Sequence, residues 1–188
     1  MIYNISSSGG WMDDKEFFSM CSSNPLKAPA RMILLSDGSL TRLLNALLLS
    51  PITLNRLSQE EVTLDNEMAD YIEAEAGQKV IDRDVWLMNG SEKLVYANSV
   101  LPTSLMRDDI YNEITKGDTP IGTLLSDQSI LTRRDRLQVA RVTSREVSKE
   151  LGLSEDTGLW ARRYRLNTEG GFKGAITEVF SPRLFEII

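Results

Sequence analysis

The sequence predicts an α+β fold, a single antiparallel β-sheet built of hairpins with helices packed on one face. Two turn signals and one periodic stretch carry that prediction. Asn89-Gly90 and Gly170-Gly171 each lie between two strand-like runs. Asn and Gly accept positive φ at little steric cost, so such pairs mark hairpins. Leu40, Leu43, Leu44, Leu47 and Leu48 recur at helical spacing and form the strongest helix pattern in the chain.

Taken in order, the chain divides into a poorly structured N-terminal extension, residues 1–31, and a domain over residues 32–188. Ser, Gly and Pro dominate the extension, apart from a short amphipathic piece around Lys15 to Met20. Ser39 is placed to cap the leucine helix, and Pro51 marks its end. Residues 52–64 read as a strand and Asp65 to Ala76 as an acidic helix. Gln78 to Met88 and Lys93 to Leu101 are the two arms of the Asn-Gly hairpin. Residues 104–116 are helical, and GDTPIGTLL opens another helix. There Asp118 or Thr119 caps and Pro120 enters the first turn, which leaves the amides of Ile121 and Gly122 at a helix start. Residues 127–144 are strand-like and basic, with Arg133, Arg134, Arg136 and Arg141. Arg145 to Leu151 is a short helix stopped by Gly152, and the final hairpin, Gly158 to Pro182, follows.

Composition removes several classes of function. With 188 residues the chain is long enough for one domain with a real core. A net charge of −6 argues against general binding to nucleic acid or to membrane surfaces. The chain has no histidine and one cysteine, Cys21, which removes His-dependent triads, makes a zinc site untenable and excludes an internal disulfide. No P-loop or dinucleotide fingerprint is present, so neither metal nor nucleotide cofactor is expected. The opening residues, MIYNISSSGG, lack the pattern of a signal peptide, and no apolar run reaches the ~18 residues of a membrane span. The expected compartment is the cytoplasm, or the stroma if the gene is plastid-borne. No large apolar surface is evident, and a monomer is expected.

Two charged residues stand in apolar rows. Glu178 shares a strand face with Ile176 and Phe180. Turning it to water would expose both neighbours, at about 1.5–3 kcal/mol each, so it faces inward. A buried carboxylate is either paired or functional. Arg83 shares its face with Ile81, Val85 and Leu87, while Asp82, Asp84, Trp86 and Met88 share the other. A buried guanidinium needs an anion. That anion is either a structural partner, Glu178 being one candidate, or the carboxylate of a ligand held by both arms of the fork.

These pieces together resemble the chorismate lyase family, which releases pyruvate from chorismate to form 4-hydroxybenzoate. The resemblance runs from about residue 34 to 182 through LLSDGSLTRLL, RDVWLMNGSEKLVYANSVLP, GDTPIGTLL, GLWARRYRL and TEVFSP, in family order. It implies an internal product cavity closed by flaps, no metal and no organic cofactor. It also implies four site residues. The carboxylate-binding arginine falls on Arg83, the acid on Glu178, a backbone amide donor on Ile121 and an apolar wall residue on Leu40. Arg83 and Glu178 are the two residues that strand alternation alone turns inward. The chemistry so implied is a chorismate pyruvate-lyase serving quinone biosynthesis. Glu178, its pKa raised by burial, would act as general acid, and an unassigned arginine between 133 and 165 would meet the enolpyruvyl carboxylate. The alternative is a non-catalytic aryl-acid-binding module like the UTRA effector domains of bacterial regulators. Residues 1–31 are too short and polar for the DNA-binding domain such regulators carry. The segment before Arg83 and the stretch 132–157 depart from the family pattern.

Overall fold

The computed structural model describes residues 3–117 and 119–188. In chain order the elements are β1 (Ser6–Ser7), α1 (Asp14–Ser23), α2 (Ala28–Leu35), α3 (Leu40–Leu48), β2 (Ile52–Thr63), α4 (Asn66–Ile72), β3 (Lys79–Asn89) and β4 (Glu92–Pro102). There follow α5 (Asp108–Lys116), α6 (Ile121–Asp127), β5 (Thr132–Thr143), α7 (Arg145–Glu150), β6 (Leu159–Thr168), β7 (Lys173–Phe180) and α8 (Pro182–Ile187). The strands form one antiparallel sheet in the order β1-β5-β6-β7-β4-β3-β2. It consists of two meanders, β2-β3-β4 and β5-β6-β7, joined where β4 pairs with β7 at the centre.

Both expected hairpins form. Gly90 follows Asn89 with φ of 58°, and Asn89 pairs with Glu92 across the turn. In the last hairpin Gly171 takes φ of 81°, the Thr168 amide donates to the Phe172 carbonyl and the Gly171 amide to the Thr168 carbonyl, so the loop is three residues long. A left-handed glycine at the end of a three-residue loop is a common way to close such a turn.

The odd-numbered face of β3 carries most of the helices. Leu87, Val95 and Phe180 pack there with Phe17 of α1, Ile33 and Leu34 of α2, Leu40 and Leu44 of α3, and Leu184 of α8. Further along the same face Ile81, Leu101, Tyr164 and Ile176 pack under Ile110 of α5 and Leu124 of α6. The other face is covered too, which alternation alone did not show. Trp86 and Tyr96 are buried with Val147 of α7, against Tyr3, Ile5 and Trp11. Val80, Val100 and Ala175 lie under Ala69 and Ile72 of α4. Asp84 is therefore buried, and it accepts hydrogen bonds from Tyr96, Ser58 and Asn98.

Residues 3–31 differ from the expected loose extension. Asp13 and Glu16 make a capping box that starts α1, and Pro29 stands in the first turn of α2. Phe17 and Cys21, one helical turn apart, face the core, and Met12 bridges to Val139. Ser- and Gly-rich flanks hid two short helices that persist because their apolar sides have a sheet to cover. The Met-Ile-Leu-Leu run proves to be the end of α2. The acidic helix is shorter than expected, with Asp65 as its cap and Glu73 ending it in a left-handed conformation.

Candidate active site

A cavity lies on the helical face, between the two apolar clusters. Arg83, Val85 and Leu87 of β3, Ala97 and Ser99 of β4, Ile176 and Glu178 of β7, and Tyr164 and Leu166 of β6 form its floor. Ser39, Leu40 and Thr41 at the start of α3, with Pro120, Ile121 and Gly122 at the start of α6, form its roof. The accessible cavity volume is about 60 Å³. That is room for several waters or a small-molecule group of similar size.

Register explains why these residues meet. Glu178 pairs with Ala97, and Arg83 pairs with Ser99, so β4 separates them and they are offset by two residues. Two strand spacings and two residues of rise put their Cα atoms about 12 Å apart, which leaves a gap between the side-chain heads. Both are buried, Arg83 at 1% exposure and Glu178 at 5%.

Each has protein partners. Arg83 Nη2 donates to the carbonyl oxygens of Gly117 at 3.0 Å and Thr119 at 3.1 Å. Gly117 ends α5 in the left-handed region, at φ of 84°, and its carbonyl is one of the two that Arg83 meets. Glu178 is not the partner of Arg83. Its partner is Arg162 on β6, whose Nε donates to Glu178 Oε2 at 2.5 Å. Arg162 has no exposed surface and also donates Nη1 to the carbonyl oxygens of Ile33 at 2.6 Å and Ser36 at 2.8 Å. Those carbonyls end α2, where the helix dipole favours a cation. Burial alone would push the Arg162 guanidinium down, but the adjacent Glu178 reverses this and holds it above its usual value.

Tyr164 completes the group. Its hydroxyl donates to Glu178 Oε1 at 3.4 Å. Burial, reinforced by the Glu178 charge, pushes it up to about 12, although Arg162 and Arg134 pull the other way. Arg134 of β5 borders the cavity with its guanidinium over the Tyr164 ring, 5.4 Å from the ring centre, and donates Nη1 to the carbonyl of Asp37 at 2.8 Å.

All four residues expected from the sequence, Arg83, Glu178, Ile121 and Leu40, therefore border one cavity. Ser39 caps α3 as expected, accepting from the Arg42 amide at 3.4 Å. The α6 start differs by one position: Pro120 is the N-cap and Ile121 the first helical residue. Of the two expected caps, Asp118 lies outside the described residues and Thr119 precedes the cap. The apolar surroundings expected for Glu178 are interrupted by Arg162, so its charge has a fixed partner. Sequence reasoning missed Tyr164 and did not single out Arg134 or Arg162 among the arginines between 133 and 165. Arg162, Tyr164 and Leu166 alternate on one face, so an inward row on that strand was available as a signal.

Comparison with known proteins adds family and fold. The model of the family described as Chorismate pyruvate-lyase Rv2949c-like matches residues 34–188. A Pseudomonas fluorescens protein named "Probable chorismate pyruvate-lyase" is 28% identical over 155 residues, 82% of this chain and 80% of that one. Among solved structures, PhnF from Mycobacterium smegmatis superposes with a TM-score of 0.64 at 13% identity, covering 79% of this chain. The match spans 66% of the PhnF chain, about two thirds of its length. A GntR-family transcriptional regulator from Enterococcus faecalis V583 gives a TM-score of 0.55 at 11% identity, covering 69% of this chain and 94% of that one. At those identities the two structures show a shared fold.

Proposed function

The chain belongs to the Rv2949c-like chorismate pyruvate-lyase family, and from that premise we propose that it converts chorismate to 4-hydroxybenzoate and pyruvate. The observation that carries the proposal is the single cavity that Arg83, Tyr164 and Glu178 share, with the Ile121 and Leu40 positions at its roof. In this reading Arg83 grips the ring carboxylate, the Ile121 amide is a second donor, and Leu40 is an apolar wall.

The reaction breaks the ether bond between the ring and the enolpyruvyl group. The ring carbon bearing the hydroxyl loses its proton, and the new double bond completes the aromatic ring. The departing enolate of pyruvate takes up a proton at its methylene carbon. Glu178 stands where a proton can be handled. It enters as the carboxylate paired to Arg162, accepts the ring proton, and as the resulting acid delivers it to the enolate carbon. Tyr164, held neutral by burial, donates to Glu178 Oε1 and fixes the carboxyl plane. Arg162 stabilises the charge between turnovers.

A second reading is favoured by the fold neighbours, which include a transcriptional regulator. In it the same cavity binds an aryl acid without turnover. One assay separates the two. Purified protein is incubated with chorismate and EDTA, and pyruvate and 4-hydroxybenzoate are measured. Equimolar release, lowered about 10²–10⁴-fold in Glu178→Gln, is the expected result. Stabilisation by 4-hydroxybenzoate with no pyruvate released would replace the lyase by the binding module.

A further inference from the structure

We infer that Arg134 reads a second carboxylate on the ligand and so makes the cavity selective for a dicarboxylate over a monocarboxylate aryl acid. The inference rests on the reading of this cavity as the ligand site, and it assigns a role to a residue outside the four already discussed.

The basic stretch of β5 and β6 offers seven arginines, and the fold commits six of them elsewhere. Arg162 is held by Glu178 and the end of α2. Arg163 faces the opposite side of the sheet, stacked between Trp11 and Tyr71. Arg165 is paired with Asp135 and Glu73. Arg133 pairs with Asp135, and Arg136 with Glu73. Arg141 lies over Trp160. Arg134 alone of the seven borders the cavity.

Its position depends on a break in β5. Arg134 pairs with Leu166 and Val139 with Arg162, and both partners lie on the cavity face of β6. In an unbroken strand positions 134 and 139 would face opposite sides. The register shift between Asp135 and Gln138, with Arg136 at φ of 51°, brings both to one side. A non-glycine residue in the left-handed region is strained, and here the strained bulge re-aims an arginine into a cavity.

The local chemistry leaves that arginine ready for an anion. Arg134 donates Nη1 to the Asp37 carbonyl and interacts with the neutral Tyr164 hydroxyl, which fix the side chain without neutralising it. Among the described residues no carboxylate is within ion-pair distance of it, and its Nε is buried without a hydrogen-bond partner. The Tyr164 ring lies under one face of the fork and leaves its edge for a ligand. Arg83 and Arg134 sit on strands four places apart, so their Cα atoms are about 19 Å apart across the sheet. A ligand with a carboxylate at each end bridges two guanidiniums so placed. A monocarboxylate product engages only Arg83 and is free to leave.

The test compares Arg134→Gln and Arg134→Lys with the wild type. For 4-hydroxybenzoate, a monocarboxylate, a dissociation constant is measured. For chorismate, a dicarboxylate, KM is read from pyruvate release, or a dissociation constant where no pyruvate is released. In Arg134→Gln, chorismate binding should weaken at least about tenfold and 4-hydroxybenzoate binding change by less than about twofold. Arg134→Lys, which keeps the charge, should recover part of the loss. Equal weakening of both ligands, or of neither, would overturn the assignment. The two readings fail separately. If wild-type protein discriminates through Arg134 but releases no pyruvate, the lyase reading falls and the carboxylate site stands. If pyruvate is released and KM is unchanged in Arg134→Gln, the reverse holds.

Discussion

Arg162 and Glu178 are register partners across β6 and β7, both buried, with Nε donating to Oε2 at 2.5 Å. The pair does two things. It neutralises a carboxylate's charge beside the cavity, and it ties that carboxylate through Ile33 and Ser36 to the end of α2. Removing one member leaves a buried charge unmatched. Glu178→Leu and Arg162→Met should each lower stability by about 3–5 kcal/mol in denaturant titrations. The double variant, with apolar residues of similar volume, should regain most of that stability. It should release no pyruvate, which separates the pair's structural role from its chemical one.

Arg83 is expected to bear on ligand affinity. Arg83→Ala removes the proposed partner of the aryl carboxylate from a site with 1% exposure. The affinity for 4-hydroxybenzoate should fall by about 2–5 kcal/mol, measured by calorimetry. Unchanged affinity would move the carboxylate site elsewhere in the cavity.

Gly122 tests the roof. A Cβ there would lie 3.3 Å from Ser39 Oγ and 3.8 Å from Arg134 Nη2. Its backbone is helical, so Gly122→Ala gains up to about 1 kcal/mol of helix propensity. The melting temperature should hold or rise slightly while KM increases, because the extra methyl narrows the cavity between α3 and α6. A lowered melting temperature with unchanged KM would mean that the α6 start does not border the bound ligand.

Tyr164 predicts an alkaline limit. Its folded pKa is about 12 against an ordinary value of 10.0. The folded state therefore holds the proton more tightly than the unfolded chain. The stabilisation is full below pH 10 and is lost as the pH rises toward 12, on the order of 3 kcal/mol in all. Tyr164→Phe should lack this component. The wild-type minus variant stability difference, followed from pH 9 to 11.5, should shrink with rising pH, and a flat difference would place the tyrosine in a wetter setting.

Alternation and turn chemistry make the core of the site legible in the sequence. Glu178 between Ile176 and Phe180, and Arg83 between Ile81 and Val85, could only face inward, because turning either out would expose its apolar neighbours. The leucine helix with its Ser39 cap was equally plain, since cap and period agree. The first two helices were not, because α1 and α2 are short and gain their stability from the sheet beneath them.

What the sequence by itself determined was therefore the two hairpins, the leucine helix and the inward side of the strands that carry Arg83 and Glu178. How the strands pair was decided only by tertiary structure. A two-residue turn at Gly170-Gly171 would set Arg163 opposite Glu178. The actual three-residue loop sets Arg162 there and sends Arg163 to the other face, between Trp11 and Tyr71. The bulge at Arg136 likewise decides that Arg134, in a run of arginines, borders the cavity. The physical reason is the period of two: one residue of slip or insertion reverses every side chain beyond it, and the choice between registers is made by the packing of both faces.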